Sequence, residues 1–143
     1  MADKIYLDDE MKKALLGLAP YSPEVPFDFT PKHYQDRGLA DELIPIYSLR
    51  TLTKGEQETI AAEFRKENSD GGKLYEITRK AVKGWKNVID IGFMEAVPYK
   101  SAADGGADDS VFQRISKNDR EAIFSHILAV SGLVRADRLG FGF

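Results

Sequence analysis

The chain has 143 residues, of which 43% are hydrophobic and 30% are charged, and its formal net charge is −3. This length and composition predict one domain with a hydrophobic core of its own. The acidic balance argues against a protein that coats nucleic acid, because such binding needs Lys and Arg to displace phosphate counterions. The chain contains no cysteine, so disulfides, zinc–thiolate sites and thiol nucleophiles are excluded within it.

The first residues, MADKIYLDDEMKK, are acidic and lack the apolar run of a secretory signal. No stretch approaches the roughly 18 apolar residues that a membrane span needs. We therefore expect an intracellular protein without a membrane partner.

The N-terminal part predicts a short helix followed by an extended arm. Residues 8–18 place Met11, Ala14, Leu15 and Leu18 at helical spacing. Residues 19–34, APYSPEVPFDFTPKHY, carry four of the six prolines, which favour extended geometry. Two interpretations of this proline-rich arm stay open: a connector that wraps the core with Phe27 and Phe29, or a partner-binding arm.

The next segment predicts a strand and then a helix. LIPIYSLRTL at 43–52 has strand composition, and Pro45 assigns it to a sheet edge or to a strand start. Thr53 and Glu56 have the spacing of a capping box, which predicts a helix beginning near Lys54. Ile60 and Phe64 are expected on its inner face.

The segment KLYEITRKAVKGW at 73–85 predicts a further helix. Its expected buried stripe is formed by Leu74, Ile77, Ala81 and Val82 and is extended by Trp85. Gly84 is expected to let another backbone or ring approach closely. The apolar segments VIDIGF and AVPY that follow predict a β-hairpin or a pair of short strands.

The C-terminal third predicts a small acidic loop at 100–110, expected to be mobile, and a helix at 116–133. Ser116 caps this helix, and its buried stripe is Ile123, Phe124, Ile127 and Leu128. A short tail at 134–143 follows. The predicted fold class is α+β: a mainly helical single domain of about four helices with a small hairpin or sheet.

No sequence motif in the chain predicts catalysis. SDGGK at 69–73 lacks the spacing and the hydroxyl residue of a phosphate-binding loop, and DGGADDS does not match a calcium loop. His33 and His126 have no further ligand at metal-site spacing. A group of basic residues lies near Trp85 in the sequence: Arg79, Lys80, Lys83 and Lys86. We interpret this group as the solvated face of a helix in preference to a nucleic-acid-binding patch. We expect no enzyme activity, cofactor, metal or small-molecule substrate.

Partner contact is predicted where apolar residues follow no regular core period or lie on an unpaired strand edge. The candidate partner-binding residues are Phe27, Phe29, Tyr47, Leu49, Phe141 and Phe143. The alternative, that these segments fold back and cap the core, stays open.

Three short motifs, taken in order, resemble one protein family. IYSLRTLTKGEQETI resembles the passage from strand to helix in tail assembly chaperones of long-tailed bacteriophages. AVKGWKNVID, followed by VPYK, is similar to the helix end of that family and the short hairpin after it, with Gly84 and Trp85 as landmarks. A late helix that ends in SGL is also similar to one in the family. The resemblance covers about residues 44–133 and leaves out the proline-rich segment and the tail.

The resemblance implies a non-enzymatic assembly factor in the cytoplasm of an infected bacterium. Such chaperones bind the tape measure protein and recruit tail tube subunits, and the chain could also associate with itself. One alternative is a permanent virion component, such as a head–tail connector or tail protein, whose arm and tail contact neighbouring subunits. Another is a regulatory or inhibitor protein directed at a host target.

Overall fold

The computed structural model describes residues 23, 25–67 and 71–131 of the chain. Its regular elements are, in chain order, β1 (Phe27–Phe29), β2 (Ile46–Leu49), α1 (Lys54–Phe64), α2 (Gly72–Ala81), β3 (Val82–Lys86), β4 (Ile89–Asp90), β5 (Glu95–Ala96), α3 (Asp109–Phe112) and α4 (Lys117–Val130). Short 3₁₀ turns cover Lys32–Tyr34 and Asp41–Leu43. The predicted α+β class is confirmed. The predicted helix at 8–18 and the tail at 134–143 lie outside the described residues.

The first three strands form an antiparallel sheet in the order β1-β2-β3. β2 is therefore the central strand. Pro45 predicts either a sheet edge or a strand start, and the structure shows the strand start. A proline there leaves the ladder intact because its missing N–H falls before the first paired residue. The predicted strand at 43–52 is correspondingly shorter in the structure, at four residues.

The inner face of this sheet supplies much of the core. Side chains alternate between the two faces of a strand, so every second residue of β2 points inward. Tyr47 and Leu49 are both fully buried. Tyr47 lies between Phe29 and Trp85 in the register of the sheet.

Gly84 and Trp85 lie on strand β3, and the prediction that they end a helix is wrong. α2 ends at Ala81, and Val82 already has extended backbone angles, φ −88° and ψ 112°. Pairing of Val82 with Leu49 and of Gly84 with Ser48 accounts for the change, with Lys83 as the extra residue of a bulge. β-Branched and aromatic residues favour this geometry, whereas glycine weakens a helix.

The close approach expected at Gly84 is also absent. A Cβ atom at this position would lie 3.7 Å from the Ser48 Cβ, which is an ordinary contact. A tight glycine does occur at Gly106, where a Cβ would lie 2.4 Å from the Lys80 Cα. Gly106 therefore brings the loop at 100–110 directly against the end of α2.

The predicted helix starts at α1 and α4 are confirmed. Thr53 and Glu56 form the reciprocal capping box of α1, and the Ser116 side chain accepts a hydrogen bond from the Asp119 N–H at the start of α4. Ile60 is fully buried as predicted, whereas Phe64 is 43% exposed. Phe64 occupies the last position of α1, beyond the part of the helix that packs on the core.

Arg79 is buried, so its predicted place on a solvated helix face is wrong. Its guanidinium donates hydrogen bonds to Asp104 Oδ2 at 2.7 Å, to Glu76 Oε2 at 2.6 Å and to the Ala107 carbonyl at 2.7 Å. The hydrogen bond from Arg79, followed by one from the Gly106 N–H, lowers the pKa of Asp104 to about 2. These contacts join the acidic loop at 100–110 to the end of α2. The mobility expected for this loop stays a prediction.

The core lies between the inner face of the sheet and the helices. Its fully buried side chains include Tyr47, Leu49, Ile60, Val82, Phe112, Ile123 and Ile127. Among residues 23, 25–67 and 71–131, no helix is both long enough and apolar enough to cross a membrane.

Candidate protein-interaction surfaces

The turn between β4 and β5 carries the most exposed large apolar side chains of the described residues. The exposed fraction is 66% for Ile91, 76% for Phe93 and 77% for Met94. We call residues 91–94 the hairpin tip. A single exposed apolar side chain is ordinary, but three within four residues form a patch of the kind that protein partners cover.

Side chains outside the tip hold the hairpin in place. β4 and β5 pair only through Ile89 with Ala96 and Asp90 with Glu95, which is too few residues for a stable hairpin alone. Arg114 bridges both strands, donating from Nε to Asp90 Oδ2 at 2.9 Å and from Nη2 to Glu95 Oε1 at 2.8 Å. The two strands are thereby fastened to the segment between α3 and α4.

Asp90 also shapes the turn itself. Its Oδ1 atom accepts a hydrogen bond from the Phe93 N–H at 3.3 Å. The hydrogen bond from Arg114 is the main reason that the pKa of Asp90 lies below its ordinary value. Met94 closes the turn with a left-handed φ of +53°. The apolar tip is thus presented by a turn whose conformation is specified by polar contacts.

Buried residues complete the attachment of the hairpin to the core. Val88 and Val97, which flank the two strands, are 4% and 2% exposed, and the Val97 N–H donates to the Val88 carbonyl at 2.8 Å. Trp85 donates from Nε1 to the Val97 carbonyl at 2.6 Å. A hairpin held in this way loses little conformational freedom when a partner covers its tip, which favours binding.

The described part of the proline-rich arm packs on the sheet and on α4. Phe27 and Phe29 are half-buried and pair with β2. The Phe29 ring stacks on His126 at a centroid distance of 4.2 Å, and Phe27 meets the same ring edge-on at 5.7 Å. This geometry favours the connector interpretation, with part of each aromatic ring still open to solvent.

A buried carboxylate fastens the end of the arm to the body. Asp119 is 2% exposed and accepts hydrogen bonds from His33 Nε2 at 2.7 Å, from the Tyr34 hydroxyl at 2.8 Å and from the Tyr47 hydroxyl at 2.5 Å. We call these four residues the Asp119 cluster. Because His33 and Tyr34 belong to the arm and Tyr47 to β2, one side chain of α4 joins three elements.

The electrostatics of the Asp119 cluster suit a structural joint. Burial first, and then the contacts with Asp119, raise the pKa of both tyrosine hydroxyls above the ordinary value of 10.0. Both hydroxyls therefore stay protonated and continue to donate to the carboxylate near neutral pH. A fully hydrogen-bonded buried carboxylate stabilises the arrangement of the groups around it.

Two of the predicted contact residues belong to the core. Tyr47 and Leu49 have no exposed surface, so in this fold their side chains do not reach a partner. The prediction assumed an unpaired strand edge, but both edges of β2 are paired, one with β1 and the other with β3. Phe141 and Phe143 lie outside the described residues, and their predicted partner contact stays a prediction.

The described residues also contain surface grooves. One of about 410 Å³ lies between α2 and α4, with walls that include Leu74, Tyr75 and Phe124. Another of about 720 Å³ separates α1 from α2 and is lined mainly by polar and charged residues. Within residues 23, 25–67 and 71–131, His, Asp and Glu do not gather in groups of three or more that could hold a metal ion.

The hairpin tip was not among the residues predicted to contact partners. The strand composition of VIDIGF predicts a strand for Ile91 and Phe93, and Met94 falls in the connection between VIDIGF and AVPY. The sequence does carry a signal for a turn at this position. Aspartate often begins turns and glycine often lies within them, and Gly92 follows Asp90 by two positions. Apolar residues at the centre of a turn have no core to enter.

Comparison of the chain with models of protein families, with curated proteins and with solved structures finds no match.

Proposed function

We propose that the chain is a non-enzymatic tail assembly chaperone of a long-tailed bacteriophage. It binds apolar helical segments of the tape measure protein and recruits tail tube subunits during tail morphogenesis. In this role it acts in the cytoplasm of the infected bacterium and leaves before the virion matures. The ordered sequence motifs over residues 44–133 support the proposal. One structural correspondence that the resemblance implies is not met, because Gly84 and Trp85 lie on β3 and not at a helix end.

The structural observation that carries the proposal is the hairpin tip. Ile91, Phe93 and Met94 are 66–77% exposed on a turn held by Asp90 and Arg114. Burial of such side chains contributes roughly 25 cal/mol per Å² of apolar surface before the costs of association. A preorganised apolar projection of this kind suits a protein that shields the apolar helices of a partner until assembly.

Co-expression with the tape measure protein of the same phage tests the proposal. The wild-type chain is expected to keep the tape measure protein soluble and to co-purify with it. Phe93→Asp should reduce the co-purified tape measure protein by about tenfold or more, as loss of a central interface aromatic does. The matched control is Phe64→Asp, which changes a phenylalanine that is 43% exposed at the end of α1.

The outcomes separate the function from the surface. If the wild-type chain neither solubilises nor retains the tape measure protein, the chaperone proposal is wrong. If it does both and Phe93→Asp behaves like Phe64→Asp, the chaperone function stands and the hairpin tip is not the binding surface. The alternative, a permanent virion component, predicts the chain in mature particles at a fixed ratio to the tail proteins.

A further inference from the structure

The described arm connects to β2 through a segment with little packing. We call residues 25–34 the arm and residues 35–43 the hinge. Every residue of the hinge is exposed. A shallow cavity of about 290 Å³ is lined by hinge residues together with Thr30, Tyr34 and Ile44. The hinge therefore contributes little burial to the fold.

Two residues of the hinge have left-handed backbone angles. Asp36 and Gly38 have φ angles of +59° and +67°. Glycine adopts this region freely, and aspartate enters it more readily than most residues with a Cβ atom, so the cost at Asp36 is small. An extended hinge would remove this small cost.

In contrast to the hinge, the arm makes many specific contacts with the rest of the molecule. It contributes β1 to the sheet, stacks Phe29 on His126, buries Pro31 completely and places His33 and Tyr34 against Asp119. The strand pairing, the ring stacking and the hydrogen bonds to Asp119 join the arm to β2 or α4, beyond the hinge. None of them requires the arm and the body to belong to the same chain.

We propose that the arm exchanges between two copies of this chain to form a domain-swapped dimer. The arm of each copy pairs with β2 and α4 of the other copy, and the hinge extends between them. The closed monomer and the exchanged dimer then share the same arm contacts, so the conformation of the hinge and the protein concentration decide between them. This inference goes beyond the proposed function and does not depend on it.

The absence of native cysteine allows a direct test with engineered disulfides. Asp28 of β1 lies opposite Ser48 of β2 on the outer face of the sheet. Opposed residues of antiparallel strands have Cα atoms about 4.5–5.5 Å apart, within the range of a disulfide. Asp28→Cys is placed in one chain and Ser48→Cys in a second chain of different tag length, and the two are mixed, concentrated and mildly oxidised.

The expected product is a disulfide between the two differently tagged chains. Its yield should exceed by about tenfold that of a control pair, because pairing of the strands gives the two thiols a high effective concentration. The control combines Asp28→Cys with Glu121→Cys, since Glu121 is exposed on α4 and lines the groove between α2 and α4. A yield equal to that of the control at every protein concentration would overturn the proposal.

Two further variants guard against misfolding and slow exchange. A single chain with both Asp28→Cys and Ser48→Cys should form an intrachain disulfide, which shows that β1 still pairs with β2. Deletion of Gly38 and Leu39 shortens the hinge and should yield a dimer of twice the 16.0 kDa mass of one chain in light scattering. A folded deletion variant that remains monomeric when concentrated would refute arm exchange.

Discussion

Asp119 is the residue whose hydrogen bonds join the most distant parts of the sequence. Replacement by alanine leaves His33, Tyr34 and Tyr47 without their shared acceptor in a buried site. We expect Asp119→Ala to lower the free energy of unfolding by about 3 kcal/mol, as measured by urea denaturation. Glu121→Ala is the matched control on the same helix; its side chain is 63% exposed, so a change within about 0.5 kcal/mol is expected. Equal effects of the two substitutions would contradict a structural role for the cluster.

Two glycines with opposite surroundings give a second prediction. Gly106→Ala should destabilise the protein by about 2 kcal/mol or more, because its Cβ would overlap the backbone of Lys80. Gly84→Ala should change stability by no more than about 1 kcal/mol, because the added methyl meets only the Ser48 Cβ at 3.7 Å. Thermal unfolding of both variants checks the difference; the reverse order of melting temperatures would show that the contacts around the two glycines are misassigned.

His126 makes stability depend on pH. Burial, and to a smaller extent the charge of Lys32, lowers the pKa of His126 below 6.5. As the pH falls through 6.5 the unfolded chain binds a proton before the folded chain does, so stability is lost from there down to the folded pKa. The groups that face the ring are Phe27 and Phe29 on β1 and the charge of Lys32.

His126→Phe keeps an aromatic ring beneath Phe29 and removes the titration. The free energy of unfolding of the variant should therefore fall less steeply than that of the wild-type chain between pH 7 and 5. Urea denaturation at a series of pH values measures the two slopes. Parallel profiles would show that another group causes the pH dependence.

At the scale of elements, the β4–β5 hairpin depends on Arg114. Arg114→Ala removes the hydrogen bonds to Asp90 and Glu95. Because solvent screens these ion pairs, global stability should change little. Local opening should increase, so the Val97 amide, which donates to the Val88 carbonyl, should exchange faster with deuterium while the amides of α4 are unaffected.

The control for this hairpin prediction is Lys117→Ala. Its side chain is 81% exposed and pairs with Glu121 at 3.8 Å on α4. Hydrogen exchange at Val97 should match the wild-type rate in this variant. If Arg114→Ala also leaves the Val97 rate unchanged, the hairpin is held by its valines alone.

Elements with local determinants could be predicted from the sequence. The capping residues Thr53, Glu56 and Ser116 act within three residues of the helix start, so their spacing alone predicts where α1 and α4 begin. The change from helix to strand at Val82 depends on pairing with Leu49, which lies 33 positions earlier in the chain. An apolar stripe that continues from α2 into β3 gives no sign of that pairing.

The candidate site could be predicted only in part for the same reason. Phe27 and Phe29 are predicted contact residues because their segment lacks a regular core period, and both lie partly buried against the core. The burial of Arg79 depends on Asp104, 25 positions away, and the Asp119 cluster joins residues up to 86 positions apart. Spacing along the chain does not encode such contacts.

At the scale of the whole molecule, the polar joints and the apolar tip have different roles. Every buried side-chain nitrogen and oxygen of the described residues has a hydrogen-bond partner. The buried polar side chains of these residues therefore form their hydrogen bonds within the molecule. Among the described residues, the most exposed large apolar side chains lie together at residues 91–94. This preformed apolar projection supports the proposed binding of partners during assembly.

Quantitative mass spectrometry of two samples from the same phage infection tests this account most directly. One sample is the tape measure complexes isolated from the lysate before tails are complete, and the other is purified mature virions. We predict that the chain accompanies the tape measure protein in the first sample and is lost from the second. Presence of the chain in mature virions at a fixed ratio to the tail proteins, or its absence from the tape measure complexes, would contradict the chaperone function.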